Sequence, residues 1–233
     1  MYKLILSSFL FCIACINEPE VAVVHSGTGQ EITGGLKYLA LGDSYTIGES
    51  VPDTDRWPVL FAKSMAENGR VISTTDILAK TGWTTENLLS ACNGLKPKEN
   101  YDLVSLLIGV NNQYQGRSLD QFRIDFHLLL LKSMEYAGNR RNRVFVLSIP
   151  DWGCTEFGSG SREEVAKSID KFNLVVKEEC AKEKILFVDI TPISRKALND
   201  PTMVASDNLH YSKKMHQLWV DEALPPVKPL LSL

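Results

Sequence analysis

The chain has 233 residues, of which 44% are hydrophobic and 23% charged, and a formal net charge of −3. That length suits one domain with at most a small appendage, and is enough to bury a core without staples. A slightly acidic balance lacks the basic footprint of nucleic-acid-binding proteins, so that class is set aside.

The opening stretch, "MYKLILSSFLFCIACINEPE", carries one Lys, an apolar run from Leu4 to Ala14, then polar residues. The run is shorter than the ~20 residues a membrane-spanning helix needs and suits the apolar region of a secretory signal. A buried first strand is the alternative; the basic flank and the small residues at the end favour export. "CIAC", Cys12 to Cys15, resembles a bacterial lipoprotein signal, in which a cysteine after a small residue is lipidated. Cys15 would be that residue, although Cys12 stands where that pattern prefers Leu. The expected organisation is a signal segment over 1–15, a flexible tether over 16–35 and a folded domain over 36–233. The expectation is then an exported protein, either a bacterial lipoprotein held at a membrane through lipidated Cys15 or a periplasmic protein. Cys92, Cys154 and Cys180 would remain in the domain, as one disulfide plus a free thiol or as three free thiols. None has CxxC spacing, so no zinc site is expected.

From Leu36 on, short apolar runs alternate with longer amphipathic stretches. "LKYLALG" reads as a buried strand and "RWPVLFAKSMAENG" as a helix closed by Gly69. "VISTTDILAK" is a second strand, "TTENLLSAC" a short helix, and "YDLVSLLIG" a third strand. A long helix, "SLDQFRIDFHLLLLKSMEYAG", leads to the strand "RVFVLSIP". A helix over about 161–184 precedes the strand "ILFVDI", and a last helix covers roughly 213–223. This alternation predicts an α/β fold, a five-stranded parallel sheet with helices on both faces. Parallel strands need crossovers, and continuous apolar runs mark strands buried on both sides. Sites in such folds lie at the carboxyl ends of the strands, where "GDSY", "GVNNQY" and "IPDWG" all fall.

The chain lacks the G-x-S-x-G elbow, the G-x-x-x-x-G-K phosphate loop and H-E-x-x-H. Four separated elements remain: "GDS" with Ser44, "TGW" with Gly82, "GVNN" with Asn111, and "SDNLHYS" with Asp207 and His210 three residues apart. In this order and spacing they resemble the SGNH, or GDSL, hydrolase family over nearly all of the chain from Leu36. The resemblance implies a flavodoxin-like three-layer α/β/α sandwich and a serine esterase without metal or organic cofactor. Ser44 would be the nucleophile, His210 its base and Asp207 the acid that orients the base. The N–H groups of Ser44 and Gly82 and the side-chain amide of Asn111 would hold the oxyanion, each such donor contributing ~3 kcal/mol or more. Asn112 departs from the family, which places Asp there, and an amide supports its loop through different hydrogen bonds from a carboxylate.

Each residue has a plainer reading. Ser44 could be a turn residue, and Asp207 a turn or capping aspartate. His216, inside the last helix, and His127, on a leucine-rich helix, read as packing or surface residues, and His25 lies in the tether. Asp189, at the last strand's end, is the rival orienting acid. Asp43 reads as a brace for the nucleophile's turn. Tyr45, Trp57, Trp83, Tyr114 and Trp152 lie near the loops and are candidates for a pocket lining. The expected activity is cleavage of carboxylic esters, short-chain or acetyl ones included, on a small molecule, glycan or lipid. The alternatives are a non-catalytic glycan- or lipid-binding module, and an acyltransferase using the same site.

Overall fold

The computed structural model describes residues 24–25, 34–97 and 99–231. The expected signal segment, with Cys12 and Cys15, lies outside them.

The strands are β1 (Val24–His25), β2 (Leu36–Gly42), β3 (Ile72–Ala79), β4 (Leu103–Leu107), β5 (Val144–Leu147) and β6 (Leu186–Val188). The helices are α1 (Ser44–Ile47), α2 (Trp57–Glu67), α3 (Thr85–Gly94), α4 (Val110–Tyr114), α5 (Leu119–Tyr136), α6 (Arg162–Glu183), α7 (Thr191–Ser194) and α8 (Lys213–Val227). The sheet runs β1-β3-β2-β4-β5-β6. β3, β2, β4, β5 and β6 are parallel, which is the expected five-stranded sheet. A sixth strand falls inside the expected tether: Val24 and His25 pair antiparallel with Ile77 and Asp76 at the β3 edge.

The burial of β4 and β5, complete at every residue, shows why their sequences are apolar runs rather than alternations. Helix α2 packs on α8 on one side of the sheet, while α3, α5 and α6 pack in succession on the other. Local sequence starts these helices. Thr84 accepts from the N–H of Asn87, whose side chain returns the bond to the Thr84 N–H, closing a capping box at α3. Pro58 opens α2. Helix α8 continues to Val227, past Pro225 and Pro226, beyond the stop expected near Ala223. The carbonyls those prolines leave without a donor belong to Asp221 and Glu222, both exposed and open to water.

The register aligns the strand ends. Gly42, the last residue of β2, lies opposite Ala79 of β3 and Leu107 of β4. β2 sits between β3 and β4, so the chain leaves it toward one neighbour and later returns on its other side. That is the switch point where open α/β sheets bind ligands.

Candidate active site

The loops after β2, β3, β4 and β5 and the loop before α8 enclose a cavity of about 200 Å³. Ser44, Gly82, Asn111 and His210 all line it, joined by Tyr45, Tyr114, Trp152 and Phe157. Asp207 stands behind His210.

Ser44 begins α1 directly after β2. Asp43 caps that helix, its Oδ1 accepting the Tyr45 N–H at 3.1 Å. Burial pushes the Asp43 carboxyl up to about 7, against the pull of the N–H groups of Tyr45, Asp43 and Gly109.

In the turn before α8, Asp207 Oδ1 accepts the N–H groups of Leu209 and His210, both at 2.9 Å. Its Oδ2 meets His210 Nδ1 at 2.6 Å and accepts the Ser50 hydroxyl at 2.5 Å. Partial burial pushes this carboxyl up. The hydrogen bonds from Ser50, the His210 ring and the two backbone groups outweigh it and hold Asp207 well below the usual carboxylate range. An ionised Asp207 on Nδ1 fixes the His210 proton there and leaves the Nε2 lone pair free to accept one. The Tyr45 ring packs edge-on against the imidazole, centroids 5.7 Å apart.

Gly82 has φ +84°, a conformation that favours glycine; a Cβ built there would meet nothing within 4 Å, so the backbone angle sets the requirement. Gly109 has φ +128°, and a Cβ would meet Ile149 at 2.7 Å and Phe122 at 2.8 Å. The β4–α4 turn is therefore closed to any larger residue. Asn111 Nδ2 donates one of its two hydrogens to the Trp83 carbonyl at 2.9 Å, which orients the amide and leaves the second hydrogen.

Asn112 accounts for its departure from the family pattern. Buried, it accepts the Thr85 N–H at 3.0 Å and donates to the Thr85 hydroxyl at 2.8 Å. That hydroxyl donates onward to Asp125 Oδ2 at 3.1 Å. An aspartate at 112 could make the first bond but not the second. The carboxylate of this network stands at Asp125, on α5.

The rival residues lie elsewhere. Asp189 accepts from the Ser148 hydroxyl at 2.9 Å and the Thr191 N–H at 3.2 Å, behind β6. Burial pushes His216 down to about 4, and its Nδ1 donates to the Asp55 carbonyl at 3.0 Å. His127 lies beside Glu179, between α5 and α6. Tyr45, Tyr114 and Trp152 line the cavity as expected. Trp57 does not: it is fully buried in the core against Phe145, at the start of α2. Trp83 contributes its carbonyl. Ser50, Thr85, Asp125 and Phe157 were not singled out from the sequence; their partners are distant in the chain and no local motif marks them. Cys92, Cys154 and Cys180 are free, and burial pushes the first and last up to about 12 and Cys154 up to about 11.

The cavity lies at the switch point of an open parallel sheet, the place where α/β proteins of this class bind their ligands. The chain belongs to the GDSL-like lipase/acylhydrolase family, which it matches over residues 40–218. Among solved structures it resembles TesA, with a TM-score of 0.67 and 20% identity over 83% of this chain and 99% of that one. It also resembles a lipase/acylhydrolase from Enterococcus faecalis, with a TM-score of 0.65 and 20% identity over 83% of this chain and 96% of that one. A third is Axe2, an acetylxylan esterase from Geobacillus stearothermophilus, with a TM-score of 0.63 and 17% identity over 85% of this chain and 96% of that one. At these identities the likeness is one of fold. No curated relative matches the chain.

Proposed function

We propose that the protein is a serine esterase that cleaves carboxylic esters through an acyl-serine intermediate. The observation that carries this reading is the convergence of Ser44, Gly82, Asn111 and His210 on one cavity, with Asp207 held 2.6 Å from His210 Nδ1. Ser44 Oγ attacks the ester carbonyl while His210 Nε2 takes its proton. The carbonyl oxygen becomes an anion, and the N–H groups of Ser44 and Gly82 and the free amide hydrogen of Asn111 stabilise it. Collapse expels the alcohol, which leaves with the proton from Nε2, and the acyl group stays on Ser44. Water, deprotonated by the same nitrogen, attacks the acyl-serine and releases the acid. Asp207 stays ionised throughout and stabilises the imidazolium.

Hydrolysis of nitrophenyl acetate by three variants tests the reading. Ser44→Ala and His210→Ala should each lower kcat by about 10⁶, and Asp207→Asn by about 10⁴, because nucleophile and base act in the chemistry while the acid orients. Retained turnover in Ser44→Ala, or a larger loss in Asp207→Asn than in His210→Ala, would overturn it.

A further inference from the structure

We propose that the rings of Tyr114, Trp152 and Phe157 form the subsite that selects the ester, and that it takes an aromatic ring of the substrate. This deepens the esterase reading above and rests on it.

The three rings form one cluster on the cavity wall. Tyr114 and Trp152 meet at 5.5 Å with planes 72° apart, Trp152 and Phe157 at 5.7 Å and 57°, and Tyr114 and Phe157 at 6.3 Å and 43°. These are the tilted and edge-to-face contacts that aromatic rings prefer. Trp152 is 9% exposed and anchors the cluster, whereas Tyr114 and Phe157 are 59% and 52% exposed. Two large rings left half in water beside an internal one form an apolar surface with room for another ring.

The wall is tied to both halves of the hydrolytic machinery. Tyr114 lies three residues after Asn111 on α4, a spacing that puts neighbours on one helix face. Trp152 Nε1 donates to Gln113 Oε1 at 2.8 Å, which fixes its indole to that same helix. On the other side the Phe157 N–H donates to the Asn208 carbonyl at 3.0 Å, in the turn between Asp207 and His210. A group resting on these rings therefore lies in the same cavity as Ser44, the oxyanion amide and the base, beside the place where the scissile ester must sit.

The lining chooses the class. Apart from Ser44, Asn111 and His210, its polar side-chain groups are the hydroxyls of Thr81, Tyr45 and Tyr114 and the Trp152 indole N–H, which is already given to Gln113. Among the described residues, no carboxylate, ammonium, guanidinium or second amide lines it to grip the several hydroxyls of a sugar. Size agrees, since an apolar cavity of ~150 Å³ accepts benzene and this one measures about 200 Å³. That is space for one ring and its linker.

Two matched pairs followed by acid release test the proposal: benzyl acetate against ethyl acetate, and methyl phenylacetate against methyl acetate, with xylose tetraacetate alongside. At least one ring-bearing ester should show a kcat/KM ten times or more that of its partner. The ratio should fall at least fivefold in Phe157→Ala and Tyr114→Ala and be kept in Phe157→Tyr. Both truncated rings are half-exposed, and unchanged thermal melting would show that the variants fold. Hydrolysis with no ring preference in either pair, a ratio untouched by both truncations, or fastest cleavage of the sugar acetate would overturn this proposal alone. No hydrolysis of any ester, with Ser44 unreactive toward a fluorophosphonate, would overturn the esterase reading and this one with it.

Discussion

Asp43 shows how a single residue beside the nucleophile sets a pH dependence for the whole protein. Its folded pKa of about 7 lies above its ordinary 3.8, so between those values the folded protein holds a proton that the unfolded chain has released. The stability this neutral carboxyl contributes is fully present below pH ~4 and is lost as pH rises through ~7. The ceiling on that loss is about 4 kcal/mol, at 1.36 kcal/mol per pKa unit. Asp43→Asn removes the titration and keeps the acceptor for the Tyr45 N–H. Urea unfolding at pH 5 and pH 8 should show the parent losing more stability than the variant over that interval. Equal losses would mean that Asp43 carries its charge at no cost. At this scale the sequence was informative where a motif marked the residue, as with Ser44 and His210. It was silent on Ser50, whose hydroxyl reaches Asp207 across 157 positions of chain.

At the scale of elements, α3, α4 and α5 are joined by one chain of hydrogen bonds, Asn112 to Thr85 to Asp125, buried at Asn112 and Thr85 and partly open at Asp125. Asn112→Asp would replace a donor by an acceptor and set a second carboxylate near Asp125, with one Thr85 hydroxyl to serve both. A buried group left without its partner costs about 1–3 kcal/mol, and Asn112→Asp should lose stability of that order. Asp125→Asn in the same chain should restore part of it, because the exchange recreates one carboxylate and one amide around Thr85. A double-mutant cycle in urea measures the coupling, and strict additivity would contradict the network. The departure at Asn112 is visible in the sequence but its partners are not, since the carboxylate of the network lies on α5. Elements fixed by their own residues were legible: "YDLVSLLIG" contains β4 because a strand buried on both faces is mostly apolar, its one polar residue, Ser105, being paired with the Tyr38 hydroxyl at 2.7 Å. β1 was not legible, because two residues gain their strand character only from pairing with Ile77 and Asp76.

For the molecule as a whole, the alternation of strands and helices and the order of four motifs carried the fold and the family. The cavity wall was only partly foreseen: Tyr114 and Trp152 sit beside motifs, but Phe157 arrives through a loop whose path no pattern dictates. The core also bears on the cysteines. Cys92 and Cys180 are buried in separate helices, and neither is bonded to Cys154. Among the described residues stability then comes from packing rather than cross-links, so excess dithiothreitol should leave the Tm unchanged; a clear fall would reveal a disulfide. The central claim, that Ser44 is an activated nucleophile, is tested most directly by mapping where a fluorophosphonate attaches. The account predicts one phosphonyl group, on the peptide containing Ser44, formed far more slowly in His210→Ala. An unlabelled protein, or a label on any other residue, would contradict it.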